Sequence, residues 1–282
     1  MDNIGKFFDK IRVMDCKGLR EQFDVTSFES ESREFIGGRF APLTKIRIGN
    51  PNDGGYVAYQ EICERAKEVY TFGVGDDVSF ELDFLNRFSC TKFHLYDPTI
   101  TGLPVTNPAF TFHKIGLPQA YHWPGLKDVK PGSLLKIDVE WCEWESLELF
   151  DVELLRKFDQ ILIELHLFTV DDPANQYSPY FTGVFKGFSS GINSQLFERY
   201  GKVMDKLLEH FHIFHAHPNN SLPKKRVHIT PFAPLLELSL VRKDLVGEFK
   251  EAEGPFPAPG LDAPNKTDRP DIENYYPLWR IS

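Results

Sequence analysis

The chain has 282 residues, of which 41% are hydrophobic and 14% aromatic, so it is long enough to bury a sizeable core in one large domain. Its 32 basic and 41 acidic residues give a net charge of -9, which disfavours nucleic acid as a partner because phosphate backbones repel an acidic surface. No apolar run reaches the roughly 18 residues that a membrane span needs. These features favour a cytoplasmic location. A Golgi or secretory location is the alternative if an anchor precedes the N-terminus.

The first part of the chain reads as an extension followed by a hairpin. Residues 1–45 are predicted to form a helical N-terminal extension, with a loop around Gly37 and Gly38. Residues 46–59 predict two short strands around a turn, because Asn52-Asp53-Gly54-Gly55 combines residues that tolerate or cap a tight bend. A short helix is expected over 60–68.

Seven short apolar runs follow, and helix-like stretches at 79–88, 142–157 and 191–210 separate several of them. Strands that alternate with helices favour a doubly wound α/β domain with a mostly parallel sheet, here over 46–250, with an antiparallel last strand. The runs lie at 69–74, 92–96, 110–115, 134–139, 158–168, 211–216 and 235–241. Residues 251–282 are Pro-rich and are expected to pack on the domain as an irregular arm, because Tyr275, Tyr276 and Trp279 need apolar cover.

The cysteines and the sequons leave the compartment open. Cys16, Cys63, Cys90 and Cys142 form no Cys-x-x-Cys pair, which argues against a zinc-cysteine site but permits one or two disulfides. Asn219 and Asn265 begin Asn-x-Ser/Thr sequons, which matter only in a secreted chain.

The first apolar run ends in a glycine turn that suits a bound cofactor. Gly73, Val74 and Gly75 lead directly into a predicted helix, and small residues there let a ligand approach the backbone. Asp97 ends the second run, 24 residues after Gly73, near the offset at which an acidic residue binds the ribose of a nucleoside cofactor.

Two cofactors compete for this turn, NAD and S-adenosyl-L-methionine. Dinucleotide binding requires a third glycine, but position 78 is Val. Asp76 and Asp77 would also repel a pyrophosphate, whereas the sulfonium and ammonium of S-adenosylmethionine would be attracted. The turn therefore favours S-adenosylmethionine. The hairpin turn at Asp53, Gly54 and Gly55 is expected to fold over the methionine end of this donor, with Asp53 on its ammonium.

Acidic residues and histidines end the later runs, where ligands of open α/β sheets bind. Asp138 stands among apolar neighbours, and Glu140 would share its face if the strand extends that far. Glu143 and Glu145 are explained as acidic residues of a first helical turn. Glu164 and His166 share a face of the fifth run. His215 and His217 alternate in the sixth, and one of them is expected to line the same cleft.

These segments together resemble a eukaryotic methyltransferase-like family distantly related to FkbM-type O-methyltransferases. The resemblance covers roughly 46–243 and rests on RIGNPNDGGYVAY, VYTFGVGDDVSFE, HLYDPT, LLKIDVEWCEWESL, FDQILIELH and HAHPNN. Residues 136–140 match the Lys-Ile-Asp-Val-Glu part of the FkbM motif, after which Trp141 replaces Gly, and Thr71 replaces the usual acidic residue of the first strand. The resemblance implies a seven-stranded methyltransferase fold, S-adenosylmethionine as donor, and O-methylation of a small-molecule or glycan hydroxyl.

The leading hypothesis is therefore an enzyme, a methyltransferase that uses Asp138, Glu140 and His166 as catalytic residues. His166 is the expected general base, because a neutral imidazole titrates in the right range. In the alternative, the same residues and His217 hold a divalent metal, although no spacing demands one, so none is predicted. A catalytically inactive binding module and an NAD-dependent oxidoreductase remain the other possibilities.

Overall fold

A computed structural model describes residues 3–16, 18–20, 40–89, 92–117, 120, 124–140, 142–167, 192–227, 230–247 and 249–273. Its helices are α1 Asn3–Phe8, α2 Gln60–Cys63, α3 Ser79–Arg87, α4 Pro124–Lys127, α5 Glu143–Leu149, α6 Val152–Leu155 and α7 Ile192–His210. Its strands are β1 Met14–Cys16, β2 Leu19–Arg20, β3 Phe40–Ala41, β4 Lys45–Ile48, β5 Tyr56–Tyr59, β6 Val69–Phe72, β7 Phe93–Tyr96, β8 Phe110–His113, β9 Ser133–Ile137, β10 Phe158–His166, β11 Phe211–Pro218, β12 Lys225–Val227, β13 Thr230–Phe232, β14 Leu235–Arg242 and β15 Phe249–Glu251.

Seven of these strands form one sheet in the order β11-β14-β10-β9-β6-β7-β8. Strands β8, β7, β6, β9 and β10 are parallel, whereas β14 is antiparallel to both of its neighbours, β10 and β11. Each of the seven apolar runs provides one strand of this sheet, so the predicted mostly parallel sheet with an antiparallel last strand is confirmed.

Helices cover the sheet on both faces, as continuous apolar strands require. Alternate residues of β6 contribute to two separate core clusters, one with Tyr70 and one with Val69. The first cluster contains α1, α5 and α7, where Trp144 stacks on Tyr200 at 4.1 Å between ring centroids. The second contains α3, whose Phe84 packs against β7. The arrangement is a doubly wound, Rossmann-like α/β fold.

The strand order reverses between β6 and β9, and Gly73 lies at this switch point. The chain runs from β6 outward through β7 and β8, and later from β9 outward to β10 on the other side. Gly73 has a φ of +81°, and a Cβ placed on it would lie 1.5 Å from the carbonyl oxygen of Asp138. Only glycine allows β6 and β9 to end so close together, and ligands of open α/β sheets bind at such reversals.

The hairpin is confirmed, and the N-terminal extension has more strand than predicted. Strands β4 and β5 pair antiparallel from Lys45–Tyr59 to Ile48–Tyr56. In the described part of 1–45, α1 is followed by β1, β2 and β3, and β1 pairs with β15 near the other end of the chain. The expected loop at Gly37 and Gly38 lies outside the described residues. The expected helix over 60–68 is limited to α2.

The described part of the Pro-rich arm, residues 252–273, contains neither helix nor strand and is hydrogen-bonded to the domain. Asn52 Nδ2 donates to the carbonyl oxygen of Pro264 at 2.7 Å, and Asn220 Nδ2 donates to that of Lys266 at 3.0 Å. Tyr275, Tyr276 and Trp279 lie outside the described residues. Within the described part of the chain, no helix combines the length and apolar character needed to cross a bilayer.

Candidate functional site

The Gly-x-Gly turn connects β6 to α3 at the switch point and leaves open space on one side. Gly75 has a φ of +55°, and a Cβ placed on it would have no heavy atom within 4 Å. Val74, in contrast, is buried in the core cluster on the α3 side. The backbone at Gly75 is therefore accessible to a ligand while its neighbour anchors the turn.

Asp97 connects this turn to the end of β7. Its Oδ2 accepts from the Gly75 N–H at 2.8 Å, and its Oδ1 accepts from the N–H and the hydroxyl of Thr99 at 2.7 and 2.6 Å. Burial raises the pKa of Asp97, but these hydrogen bonds outweigh burial and hold it below its ordinary value. Asp97 thus lies beside the Gly-x-Gly turn as an ionised group that already accepts several hydrogen bonds.

The hairpin turn before β5 lies against Asp77, which follows the Gly-x-Gly turn. A Cβ on Gly54 would lie 2.6 Å from Oδ2 of Asp77, which also accepts from Asn50 Nδ2 at 2.9 Å. Gly55 is buried in the same turn. The side chain of Asp53 contacts the C-terminal arm, with its Oδ1 accepting from Asn265 Nδ2 at 3.3 Å. Its role toward a donor ammonium stays a prediction.

Asp138, Glu140 and His166 converge at the carboxyl ends of β9 and β10. One potential ligand atom from each lies within 4.8 Å of the other two. Glu140 Oε2 lies 3.3 Å from Nε2 of His166. Strand β9 ends at Ile137, so the two carboxylates do not share a strand face as expected. Glu140 instead takes a left-handed φ of 45°, an uncommon backbone state for a residue other than glycine.

Glu143 begins α5, as predicted, but it also belongs to this site. It is completely buried, and its Oε1 contacts Nδ1 of His166 at 2.9 Å and accepts from the Val139 N–H at 3.2 Å. Glu143 is the third residue after Glu140, and the turn between them brings its carboxylate back toward the strand end. The helix dipole accounts for the charge of Glu143 but does not predict its contact with His166.

Carboxylates surround the imidazole of His166. Burial lowers its pKa, but Glu143, Glu140 and Glu164 raise it more, so the result lies well above the ordinary value. The hydrogen bond from His166 lowers the pKa of Glu140, against the effect of burial.

Glu164 forms the inner wall of the cluster. Its Oε2 lies 4.0 Å from Nε2 of His166, and its Oε1 accepts from Asn219 Nδ2 at 2.6 Å. Burial and the charge of Asp138 raise the pKa of Glu164 well above its usual range. Asn265 similarly donates to Glu237 at 2.6 Å. Both sequon asparagines are thus buried hydrogen-bond donors, a position that does not suit attachment of a glycan.

His215 and His217 of β11 hold the C-terminal arm instead of lining the cluster. His215 Nε2 lies 2.7 Å from Oδ1 of Asp262, and His217 Nε2 lies 3.1 Å from Oδ1 of Asp271. Burial lowers the pKa of His217, but hydrogen bonds to Asp271 and Glu237 raise it to about 10. His217 is not in the group of convergent ligand atoms, so its place in the expected metal set is not supported by the geometry.

Tyr56 and Lys136 are two further residues that sequence reasoning missed. The Tyr56 hydroxyl donates to Asp138 Oδ2 at 3.0 Å, and burial together with the charge of Asp138 raises its pKa well above the ordinary value. Lys136 is buried, with its ammonium 5.0 Å from the centre of the Tyr56 ring. The signal for Lys136 was the same as for Asp138, a charged residue within an apolar strand.

The arrangement brings an open glycine turn and a carboxylate-imidazole cluster to one edge of the sheet. Such a cluster can exchange a proton with a bound hydroxyl or hold a cation. A scan against protein-family models finds no match to this chain, and no curated protein matches it either.

Proposed function

We propose that this protein is an S-adenosylmethionine-dependent methyltransferase that transfers a methyl group to a hydroxyl of a small molecule or glycan. The observation that carries the proposal is the juxtaposition at the switch point. The open Gly75 turn and Asp97 follow β6 and β7, and the cluster of Asp138, Glu140 and His166 follows β9 and β10. A seven-stranded sheet with an antiparallel last strand is also the fold that the resemblance implies.

The residues of the glycine turn fit the donor. Gly75 has room beside its backbone, and Asp97 is an ionised carboxylate next to that room. Asp76 and Asp77 add negative charge, which suits a cationic ligand better than a diphosphate. In this proposal Gly73, Val74 and Gly75 shape the turn, Asp97 contacts the ribose, and Asp53, Gly54 and Gly55 border the methionine end. When bound, the donor supplies an electrophilic methyl group on a sulfonium.

The cluster provides what the acceptor needs. A hydroxyl is a poor nucleophile while it keeps its proton, so a group at the site has to accept that proton. In this proposal the Glu140-His166 pair receives it, with Glu140 as the exposed member and His166 as the buried one. Glu143 holds Nδ1 and stabilises the imidazolium, and Tyr56 holds the carboxylate of Asp138. Orientation of the acceptor oxygen by these groups supplies part of the rate.

Two glycine substitutions test donor binding with a matched control. Gly75→Ala fills the open space of the turn, whereas Gly260→Ala places the same methyl group at a φ of +77° in the arm, where a Cβ also has no neighbour within 4 Å. Both variants carry a similar backbone strain of about 1–2 kcal/mol. Calorimetry should show that S-adenosylhomocysteine binds the original protein and Gly260→Ala equally, and Gly75→Ala about 10-fold more weakly, a loss of about 1.4 kcal/mol.

The same titrations, repeated with NAD, can refute the proposal. If NAD binds and neither S-adenosylmethionine nor S-adenosylhomocysteine does, the protein is not a methyltransferase. A panel of hydroxyl-bearing acceptors with isotope-labelled donor then separates an enzyme from a binding module. Transfer of label that falls about 10-fold in Gly75→Ala at sub-saturating donor, and persists unchanged in Gly260→Ala, supports the enzyme.

A further inference from the structure

The three side chains that converge at the ends of β9 and β10 have the composition of a metal site. We propose that Asp138, Glu140 and His166 bind one divalent cation of the first transition row, for which Mn²⁺ serves as the probe. Among the residues that the structure describes, they form the one group of three ligand-type side chains that converges in this way. Binding of the ion stands by itself, and its part in methyl transfer rests on the function proposed above.

The distances suit an ion after small side-chain rotations. Ligand atoms about 2.1 Å from an octahedral ion lie about 3 Å apart when adjacent and about 4.2 Å apart when opposite. Nε2 of His166 and Oε2 of Glu140 are 3.3 Å apart, and all three ligand atoms lie within 4.8 Å of one another. Two carboxylates and one imidazole leave coordination positions open, where a substrate oxygen can bind.

Outer partners orient two of the three ligands. Glu143 lies 2.9 Å from Nδ1 of His166, which turns Nε2 toward Glu140. Tyr56 donates to Asp138 Oδ2 at 3.0 Å and fixes that carboxylate. A carboxylate behind a histidine ligand is the usual support of a metal-binding imidazole. This arrangement separates the cluster from an ordinary group of surface acids, since Glu143 and His166 are both buried.

The charge around the cluster also favours a cation. Glu164 lies 4.0 Å from His166 Nε2 and adds a third carboxylate to those of Asp138 and Glu140. Among the side chains that the structure describes, His166 forms the salt bridges with Glu140 and Glu164, and no Lys or Arg forms one with Asp138, Glu140 or Glu164. Lys136 places its ammonium over the Tyr56 ring instead. Of the three carboxylates Glu164 is buried, and His166 can balance only one negative charge, so a divalent ion would offset the charge that remains.

The ligand types narrow the choice of ion. Carboxylates alone suit Mg²⁺ and Ca²⁺, whereas an imidazole shifts preference toward Mn²⁺, Fe²⁺ and Zn²⁺. Such an ion lowers the pKa of a hydroxyl bound to it and holds the oxygen in place. Atoms that coordinate the ion cannot also accept a proton, so in the metal-bound protein the ion, and not the Glu140-His166 pair, would promote release of the hydroxyl proton to solvent.

Manganese titration of the full chain tests the site without donor or acceptor. The protein is stripped with a chelator, and free Mn²⁺ is followed by electron paramagnetic resonance. We expect one ion per chain. Glu140→Gln should weaken Mn²⁺ binding by about 10-fold or more, because loss of a residue that only supports a metal ligand already costs about 10–100-fold in metal affinity. The Glu140 side chain is 79% exposed, so this variant is expected to fold.

Glu145→Gln is the matched control, because it is the same substitution at a position five residues from Glu140 and outside the cluster. Mn²⁺ binding equal to the original is expected there. No binding by the original protein, or equal weakening in both variants, overturns the proposal. Bound Mn²⁺ without any affinity for S-adenosylmethionine refutes the proposed function and leaves the metal site standing. Chelator-resistant methyl transfer without Mn²⁺ binding refutes the metal site and leaves the proposed function standing.

Discussion

Replacement of Gly73 by Ala is the sharpest test of the switch point. The substitution costs about 1–2 kcal/mol for a left-handed backbone at a φ of +81°. The new Cβ would also lie 1.5 Å from the carbonyl oxygen of Asp138, which forces β6 and β9 apart. Overpacking in a fixed core costs a further 1–3 kcal/mol, roughly. The free energy of unfolding should therefore fall by about 2–5 kcal/mol in total.

Gly75→Ala provides the comparison within the same turn. Its φ of +55° carries the same kind of strain, but its Cβ meets no heavy atom within 4 Å. Urea denaturation followed by circular dichroism should give a loss of about 1–2 kcal/mol for this variant. Equal unfolding free energies for the two variants would refute the close approach of the strand ends. Gly73 would then not be required for close packing of the strand ends, and it would not differ in role from Gly75, which borders open space.

Three more predictions concern the donor, the chemical step and the arm. Asp97→Ala should weaken S-adenosylhomocysteine binding by about 1.5–3 kcal/mol in calorimetry, and unchanged affinity would contradict its place at the donor. His166→Ala should lower turnover about 10²–10⁴-fold on an identified acceptor while donor affinity is kept, and near-full turnover would exclude it from the proton transfer. Asp271→Asn should destabilise the protein most below pH 6.5 and little above pH 10. The pKa of His217 is about 10 in the folded protein and about 6.5 in the unfolded chain, so its ion pair with Asp271 stabilises the fold fully below pH 6.5. This stabilisation is lost as the pH rises through 10. Equal destabilisation at pH 6 and pH 10.5 in urea titrations would show that the ion pair with His217 is not the cause.

Most of the sheet followed from the sequence because its strands are covered on both faces. All nine residues of β10 and all five of β9 are buried, so the apolar runs were long enough to identify without alternation. The apolar runs did not predict that β14 lies between β10 and β11. This position depends on long-range pairing, such as Glu164 with Glu237 and His217 with Glu237, which local patterns do not encode.

The site residues at strand ends were predictable from the sequence, whereas Glu143, which reaches the site through the turn after β9, was not. Asp138, Glu140 and His166 were found because polar residues at the ends of parallel strands share one edge. Glu143 was missed because its carboxylate reaches His166 through a turn whose geometry depends on the left-handed Glu140. The raised pKa of His166 was not predictable either, since three carboxylates from different segments, Glu143, Glu140 and Glu164, cause it.

The C-terminal arm illustrates how a segment without regular structure contributes to a site. Asn265 donates to both Asp53 of the hairpin turn and Glu237 of β14, which lies opposite Glu164 in the sheet. These contacts connect the turn beside the expected donor to the inner wall of the carboxylate cluster. Glu237 and Glu164 are both buried, and each would carry a large desolvation cost without the amide that donates to it. The polar edge of the sheet is therefore completed only when the arm around Asn265 has packed, so the geometry of the hairpin turn and the packing of the arm should respond together to substitutions at Asn265.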